Sequence, residues 1–334
     1  MGKNRKLVLA KRPVGPVGPE TVSLTEEERP TPGEGEALAR VRYLSIDPTI
    51  RTWMNDLPGY LPPIGIGEVV RSAGIAEIVE SRSDRYPVGS LGFGLVGWQE
   101  YLLCGEGAAE LQLLASGLDP LLAVNLFGVT GMTAYFGLLE VGALAPGDLV
   151  VVSGAAGATG STVGQLARAK GAGRVIGIAG GPEKCAFVTG ELGLDACIDY
   201  KSEPVEKRLA EEAPGGIDLY FDNVGGPLLD AALAHLALRG RVVLCGAIAS
   251  YNATSRPAGP ANYSNLISRR GRMEGFIVLD YAARYEEAAL ALAGLLGEGR
   301  LKHFEHVVHG LESAPSALNL LFEGGNTGKV VVAL

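Results

Sequence analysis

The sequence is poor in histidine, cysteine and long apolar runs, and each shortage excludes a class of protein. Only four histidines occur in 334 residues, and the first is His235. The four cysteines, Cys104, Cys185, Cys197 and Cys245, are scattered singly with no CxxC pair. The sequence therefore predicts neither a structural zinc site nor a disulfide framework, but reduced thiols in a cytoplasmic protein. No apolar run reaches the ~20 residues that cross a bilayer, so no membrane-spanning helix is expected.

Basic residues are also too few and too dispersed for a nucleic-acid-binding protein. The formal net charge is -8, and no run of lysine and arginine stands out. A nucleic-acid-binding surface usually shows a basic stripe, so this class is excluded. Residues 1–15 are basic but contain no apolar core of the kind that a signal peptide needs.

The three clustered histidines, His303, His306 and His309, do not have the spacing of a metal site. On a β-strand His306 would face away from the other two, which would then lie ~20 Å apart. The sequence predicts a partly exposed strand here and no metal ion.

Two different patterns divide the chain. Residues 1–120 are rich in glycine, proline and β-forming residues, which predicts a twisted, barrel-like β domain. From about residue 127, short apolar strands alternate with helices, which is typical of a parallel sheet covered on both faces. The predicted strands are Ala37–Tyr43, Gly74–Val79, Trp98–Cys104, Leu149–Ser153, Arg174–Ala179, Asp195–Asp199, Ile217–Asp222, Arg241–Cys245, Gly275–Leu279 and Lys329–Leu334. The predicted helices of the alternating region are 158–171, Pro182–Leu192, 203–212 and 227–238.

A glycine-rich turn follows the first strand of the alternating region. The segment Ala155–Gly160 aligns with the GxGxxG fingerprint of dinucleotide-binding proteins, with Ala155 at the first glycine position. Gly157 would let the backbone approach a diphosphate, and Gly160 would let the helix pack on the strand. Free N–H groups at the start of the helix would then face the phosphates.

The end of the next strand favours NADP over NAD. An NAD site has an Asp or Glu about 20 residues after the fingerprint, to bind the ribose hydroxyls. Gly180 and Gly181 stand at that point, and Lys184 follows. The absence of a carboxylate removes a repulsion from a 2′-phosphate, and a nearby cation adds an attraction to it. Two later strand ends, Asp222–Gly226 and Cys245–Ile248, would lie at the same ligand-binding edge of the sheet.

Several motifs together are similar to one known group of enzymes. They are Tyr43–Pro48, Ile66–Val69, the turn and helix sequence AAGATGSTVGQLAR, Asp222–Gly226, Arg272–Phe276 and Gly325–Lys329. With these motifs the chain resembles the zinc-independent medium-chain dehydrogenases/reductases, and among them the prostaglandin reductase and alkenal double-bond reductase group. The resemblance covers nearly the whole chain.

This resemblance implies an α/β fold in which a Rossmann doubly wound parallel sheet is inserted into a GroES-like β-barrel domain. The GroES-like substrate domain would comprise residues 1–125 and 300–334, and the NADP-binding domain residues 126–299. The resemblance also implies a homodimer that reduces the carbon–carbon double bond of an electrophilic small molecule, an α,β-unsaturated aldehyde or ketone, with NADPH. The implied cofactor residues are Gly157, Ala158, Thr159, Gly160, Lys184, Tyr200, Asn223, Cys245, Gly246, Ala247, Ile248, Tyr251, Phe276, Ile277, Val278 and Asn326.

The chain departs from the group at two substrate-pocket tyrosines. Where many members read Asp-Pro-Tyr, this chain has Thr49, and Ser268 replaces a second tyrosine. Tyr60 and Tyr263 are nearby phenols and are the candidate catalytic residues. Two alternatives stay open, namely an NADPH quinone reductase and a non-catalytic NADPH-binding protein.

Overall fold

The computed structural model describes residues 2–334, which form two compact units. Residues up to Gly128 together with Glu305–Leu334 make unit 1, and Val129–Phe304 make unit 2. Unit 2 is thus continuous in sequence, whereas unit 1 is built from both ends of the chain. Within residues 2–334 no helix has both the length and the apolar character needed to cross a membrane.

Unit 1 is mostly β-structure. Its strands are β1 (Lys3–Leu9), β2 (Val22–Glu28), β3 (Glu36–Ser45), β4 (Ala73–Ser81), β5 (Leu91–Leu95), β6 (Tyr101–Gly105), β7 (Leu111–Leu113), β14 (Glu305–His309) and β15 (Lys329–Ala333). Its helices are α1 (Thr49–Trp53), α2 (Pro120–Val124) and α11 (Ala314–Glu323). β1 and β2 pair with each other, and the main sheet has the order β14-β15-β3-β4-β5-β7, with β6 on β3. Its core surrounds the fully buried rings of Tyr86 and Trp98.

The last strand of the chain is fastened to the end of β3 by a buried lysine. β15 runs antiparallel to β3, and Lys329 is only 1% exposed. Its Nζ donates hydrogen bonds to the carbonyl oxygens of Ile46 (2.7 Å) and Val330 (3.1 Å), and pairs with Asp47 Oδ1 at 3.1 Å. Because a buried ammonium is costly unless fully partnered, these three acceptors fix the segment that leads from β3 into α1.

Unit 2 holds one parallel sheet of the order β10-β9-β8-β11-β12-β13. Its strands are β8 (Leu149–Ser153), β9 (Arg174–Ala179), β10 (Ala196–Asp199), β11 (Ile217–Asp222), β12 (Leu236–Leu244) and β13 (Arg272–Gly275). Its helices are α3 (Val129–Phe136, continued by a π-turn over Gly137–Val141), α4 (Ala158–Ala169), α5 (Pro182–Gly190), α6 (Val205–Glu212), α7 (Gly226–Ala234), α8 (Ile248–Tyr251), α9 (Asn265–Arg269) and α10 (Tyr285–Gly297). Consecutive residues Val150–Val152 are all fully buried, so both faces of the sheet are covered. The predicted fold class is confirmed.

The strand order reverses beside β8. From β8 the chain moves outward through β9 and β10, and then returns to place β11, β12 and β13 on the other side. The loops after β8 and β11 therefore leave the same edge of the sheet in opposite directions. This arrangement opens a crevice, which is where doubly wound sheets bind their ligands.

Two predicted elements of unit 2 are wrong in extent. The strand predicted over Gly275–Leu279 is Arg272–Gly275, and Val278 begins a 3₁₀ segment instead. After Gly275 the chain leaves the sheet, and the Phe276 ring packs edge-on to Tyr281, with ring centroids 6.4 Å apart. Val278 is buried whereas Leu279 is 45% exposed, so apolar character there does not mark strand pairing.

The second error concerns the helix predicted over 227–238, which ends at Ala234. The strand β12 already begins at Leu236 and contains a bulge, where Arg239 adopts a positive φ of 63°. Apolar residues continue across this boundary without a break, so the hydrophobic pattern does not mark the end of the helix.

Candidate functional site

The turn after β8 is built for close approach of a ligand. Gly154 has a φ of +62°, a left-handed conformation that disfavours other residues, and makes the tight turn. A Cβ at Gly160 would lie 2.3 Å from the Gly154 carbonyl oxygen, so only glycine fits where α4 crosses the turn. The first-glycine role therefore falls to Gly154, one residue before the Ala155 of the sequence alignment, and Ala155 is fully buried.

The start of α4 provides hydrogen-bond donors for an anion. Gly157 precedes the helix in extended conformation, and no side chain caps it. The first N–H groups of a helix, here those of Ala158, Thr159 and Gly160, have no acceptor within the helix, and the helix dipole makes this end positive. The first turn also contains no acidic residue. These features suit a diphosphate group.

A second cluster of cationic groups lies at the ends of β9 and β10. Lys184 is in the first turn of α5, and burial together with the charge of Lys201 lowers its pKa from the ordinary value. A Cβ on Gly180 would lie 2.8 Å from the ring and hydroxyl of Tyr200, so glycine allows this ring to lie against the end of β9. Two mutually repelling lysines near an exposed phenol form a site that a phosphate dianion would stabilise.

The Asp199 carboxylate holds this cluster in shape. Its Oδ1 accepts hydrogen bonds from the N–H groups of Gly181 (2.7 Å) and Lys201 (3.0 Å), and its Oδ2 accepts one from Ser202 Oγ (2.7 Å). The bond from Gly181 N–H, the largest cause, lowers the pKa of Asp199. The Asp199 carboxylate is thus engaged by hydrogen bonds, mainly from backbone N–H groups. It lies at the end of β10, whereas an NAD-type carboxylate is expected at the end of the neighbouring strand β9.

The loops after β8 and β11 are joined through the buried carboxylate of Asp222. Ser153 Oγ donates to Asp222 Oδ1 at 2.9 Å, and the Gly225 N–H donates to the same oxygen at 2.9 Å. Two hydrogen bonds to Ser153 also fix Asn223. Its backbone N–H donates to Ser153 Oγ (2.9 Å), and its Nδ2 donates to the Ser153 carbonyl oxygen (2.7 Å). Burial raises the pKa of Asp222, and these donors partly offset that rise.

The loop after β12 folds back on the same region. The N–H groups of Cys245 and Gly246 both donate to the Asp222 carbonyl oxygen, at 2.9 and 3.0 Å. The Ala247 N–H donates to Tyr251 Oη at 3.1 Å, which closes the turn into α8 at Ile248. Burial raises the pKa of the Cys245 thiol to about 12, so this side chain stays neutral beside any bound ligand.

Four of the predicted cofactor residues lie outside the loops described above. Val278 is buried in unit 2, and Phe276 packs against Gly137, where a Cβ would lie 2.6 Å from its ring. Ile277 lies between them, half-buried, in extended conformation. Asn326 belongs to unit 1, where its Nδ2 donates to the Gly328 carbonyl at 3.0 Å within its own turn.

Two of the substrate-pocket candidates are in direct contact in unit 1. Thr49 Oγ1 and Tyr60 Oη are 2.7 Å apart, and the Tyr60 ring stands edge-on to Trp53 with centroids 6.2 Å apart. Burial raises the pKa of Tyr60 above its ordinary value, and the hydrogen bond with Thr49 partly offsets that rise. Tyr60 is nevertheless 47% exposed, in a depression lined by residues 56–63. It is therefore a protonated phenol held in place and open to solvent.

The other two candidates lie in unit 2 and are more exposed. Tyr263 is 61% exposed on a 3₁₀ turn, Ala261–Ser264. Ser268 lies on α9, where its Oγ donates back to the Asn265 carbonyl at 3.2 Å. Within residues 2–334, no hydrogen bond or ring contact of Tyr263 is comparable to the Thr49–Tyr60 pair.

Sequence reasoning missed Gly154 as the turn glycine, Lys201, and the link from Ser153 to Asp222. Gly154 was one residue from the alignment, and Lys201 follows the end of a predicted strand, so both had a detectable signal. Within residues 2–334, no three His, Cys, Asp or Glu side chains are grouped closely enough to hold a metal ion. His306 and His309 lie on β14, as the predicted strand requires.

The geometry of unit 2 fits a dinucleotide that carries a 2′-phosphate. Gly160 lets α4 start directly against the Gly154 turn, since a Cβ there would lie 2.3 Å from the Gly154 carbonyl oxygen, and the free N–H groups at the start of the helix suit a diphosphate. The Lys184 and Lys201 pair supplies positive charge where an NAD site places a carboxylate. Both observations concern residues of this chain and agree on NADP(H).

Comparisons with known proteins agree with this fit. Residues 5–112 match the model of an N-terminal domain of oxidoreductases, and residues 158–294 match a model described as zinc-binding dehydrogenase. The NADPH-dependent curcumin reductase of Escherichia coli is 39% identical over 335 residues, covering 99% of this chain and 96% of that protein. The 2-alkenal reductase (NADP⁺-dependent) of Nicotiana tabacum is 37% identical over 90% of this chain and 88% of its own length.

A solved structure extends the likeness to three dimensions. CurA of Vibrio vulnificus in complex with NADPH is 43% identical, with a TM-score of 0.93 over 98% of both chains. These relatives match the chain almost from end to end. The chain belongs to the zinc-independent medium-chain dehydrogenase/reductase family, in its group of enone and alkenal reductases.

Proposed function

We propose that this protein uses NADPH to reduce the carbon–carbon double bond of α,β-unsaturated aldehydes and ketones and leaves the carbonyl group intact. One observation carries the proposal: a glycine-rich turn at the start of a helix and a pair of neighbouring lysines, Lys184 and Lys201, occur in a chain whose near full-length relatives are named as NADPH-dependent curcumin and NADP⁺-dependent alkenal reductases. The substrate class is therefore an electrophilic small molecule.

The residues of unit 2 hold the cofactor in this proposal. The N–H groups of Ala158 to Gly160 bind the diphosphate, and Lys184, Lys201 and Tyr200 bind the 2′-phosphate and its ribose. Asn223 and the 245–251 loop line the next part of the site, because the Asp222 network holds both in register with the β8 turn. When bound, NADPH supplies the hydride that adds to the β-carbon of the substrate.

Tyr60 supplies a hydrogen bond to the substrate carbonyl oxygen. As the double bond is reduced, negative charge develops on that oxygen as an enolate, and a neutral donor held in place stabilises it. Because the single phenol proton is donated to the substrate, the Thr49 hydroxyl donates to the phenol oxygen and fixes its direction. Because charge in an enolate is spread over three atoms, a phenol suffices, whereas a localised alkoxide would need a stronger electrophile.

The α-carbon proton then comes from water in this scheme. Tyr60 is 47% exposed, so water reaches the depression in which its ring lies. No side chain needs to deliver the second proton directly to carbon.

Product analysis tests the reaction type. With NADPH and a simple enone, NMR of the product is expected to show a saturated ketone, because Tyr60 is suited to support an enolate. An allylic alcohol as the main product would contradict the proposal. A parallel assay with a quinone distinguishes a quinone reductase, for which quinone turnover would far exceed enone turnover. Binding of NADPH without turnover of any electrophile would identify a non-catalytic protein.

Cofactor preference tests the role of Lys184. In Lys184→Ala the kcat/KM for NADPH should fall by roughly ten- to a hundredfold, the equivalent of about 1.5–3 kcal/mol for a hydrogen bond to a charged group. The kcat/KM for NADH should change little. Since the pKa of Lys184 is lowered, the preference for NADPH should also decline as the pH rises through that pKa, because the neutral amine no longer attracts phosphate.

The matched control is Lys170→Ala, at the opposite end of α4 from the glycine turn. It should leave both cofactor efficiencies unchanged. Equal efficiencies with NADPH and NADH in the parent protein would refute the 2′-phosphate site.

The role of Tyr60 is tested by removing its hydroxyl. Tyr60→Phe keeps the ring against Trp53 and should lower kcat roughly a hundredfold, the usual cost of one donor to a developing oxyanion, with a small effect on KM for the enone. Thr49→Val should cause a smaller loss. The activity that depends on Tyr60 should persist at neutral pH and disappear as the pH rises through its raised pKa, where the phenol ionises.

The rival phenol serves as the comparison. Tyr263→Phe should retain most of the kcat, since this exposed side chain lacks the support that Tyr60 has. The opposite pattern, an inactive Tyr263→Phe protein and an active Tyr60→Phe protein, would transfer the role to Tyr263.

We also propose a cytoplasmic homodimer. The four cysteines are free thiols, which supports a reducing compartment. The edge strand β13 is exposed along most of its length, and its unpaired edge is suited to pairing with a second copy. Light scattering of the purified protein should give twice the mass of 34.7 kDa, and cell fractionation should recover it with cytoplasmic markers. A monomer, or recovery outside the cytoplasm, would contradict the respective proposal.

A further inference from the structure

Two of the four cysteines lie against each other in unit 2. Neither has a role in the proposed reduction. The Sγ atoms of Cys185 and Cys197 are 3.0 Å apart. Cys185 lies in the second half-turn of α5, directly after Lys184, and Cys197 lies on β10, two residues before Asp199. The remaining cysteines serve as a contrast, since Cys104 is buried in unit 1, where its Sγ lies 3.6 Å from the Ala37 carbonyl oxygen.

We propose that Cys185 and Cys197 form a reversible disulfide bond on exposure to a peroxide, and that this bond weakens NADPH binding. The sulfur atoms need to approach each other by only about 1 Å to reach the bond length of a disulfide. Both side chains are half-buried, so a small oxidant can reach them without unfolding of the domain.

The hydrogen bond between the two thiols sets the order of the steps. Cys197 donates its S–H to Cys185. Burial raises the pKa of both thiols, but this hydrogen bond lowers that of Cys185 and raises that of Cys197 further. Cys185 therefore ionises first and is the attacking sulfur.

The chemistry balances with the peroxide as the two-electron oxidant. The Cys185 thiolate attacks one peroxide oxygen, the O–O bond breaks, and a sulfenic acid and hydroxide form. The Cys197 sulfur then attacks the Cys185 sulfur and loses its proton, while the sulfenic oxygen leaves as water. The sum is two thiols and one hydrogen peroxide giving one disulfide and two waters, and a dithiol reductant reverses it.

The position of the pair connects it to the cofactor. A bond from Cys185 to Cys197 would draw the first turn of α5 toward β10, and Lys184 is the neighbouring residue. The N–H of Gly181 at the start of α5 is already held by Asp199 from β10. With that end fixed, the approach of the sulfur atoms must be absorbed by residues 182–185, which displaces the Lys184 ammonium. This consequence rests on the proposed role of Lys184, whereas the disulfide itself does not.

Mass spectrometry tests the disulfide directly. Trypsin releases both cysteines on one peptide, residues 185–201, because no Lys or Arg lies between Lys184 and Lys201. After treatment of the full-length protein with hydrogen peroxide, this peptide should be lighter by two hydrogen atoms and should resist alkylation. Dithiothreitol should restore two alkylated thiols. Two free thiols after treatment, or a sulfinic acid on either cysteine without the link, would overturn the proposal.

Kinetics test the coupling to the cofactor. Oxidation should raise the KM for NADPH roughly tenfold, the loss of about one charge-assisted hydrogen bond, and should leave the KM for NADH nearly unchanged. The variants Cys185→Ser and Cys197→Ser cannot form the disulfide, so peroxide should not raise their KM for NADPH tenfold. The control Cys104→Ala, in unit 1, should respond like the parent protein.

The two proposals fail in different ways. If the link forms and the KM for NADPH is constant, although Lys184→Ala raises it, the coupling is wrong. If Lys184→Ala itself has no effect on NADPH, the proposed role of Lys184 fails, and the mass of the 185–201 peptide alone decides the disulfide.

Discussion

The buried carboxylate of Asp222 is the interaction on which the cofactor edge of unit 2 depends. It lies at the end of β11, where the strand order reverses, and is fully buried. Its Oδ1 accepts hydrogen bonds from the hydroxyl groups of Ser153 (2.9 Å) and Tyr220 (3.2 Å) and from the N–H of Val224 (3.1 Å). A buried carboxylate is costly unless its lone pairs are satisfied, so the loops that supply these donors cannot move independently. The carboxylate thereby turns two separate strand ends into one rigid frame.

Glycines are also needed at this edge of the sheet, because a side chain at their positions would clash with neighbouring residues. Gly160 brings α4 against the β8 turn, and Gly180 makes room for the Tyr200 ring. At each of these two glycines, a Cβ atom would lie closer to its neighbour than real Cβ atoms do. This edge of the sheet is therefore shaped by backbone and by the absence of side chains.

Unit 1 depends on a different contact, because it is built from both ends of the chain and these must be held together. Lys329 from the last strand is buried against the carbonyl of Ile46 and the carboxylate of Asp47. That contact fixes the start of α1, and α1 carries Thr49. The Thr49 hydroxyl lies 2.7 Å from the phenol oxygen of Tyr60, which comes from the following loop, and holds that phenol in place.

The sequence by itself determined the fold class, the cofactor and the family. Alternating strands and helices, the glycine turn and the missing acidic residue at Gly180 are local features, because each depends on residues a few positions apart. Element ends that depend on packing were not determined in this way, as the wrong bounds of β13 and α7 show.

Only the tertiary structure decided which distant residues meet. The pairs Ser153 with Asp222, Cys185 with Cys197 and Lys329 with Asp47 are separated by 69, 12 and 282 residues along the chain. Periodicity carries no information about such contacts, since they follow from strand order and from the need of each buried polar group for a partner. The same reason explains why Tyr60 could be named from the sequence as one of two phenols, while its anchoring by Thr49 became visible only in the folded chain.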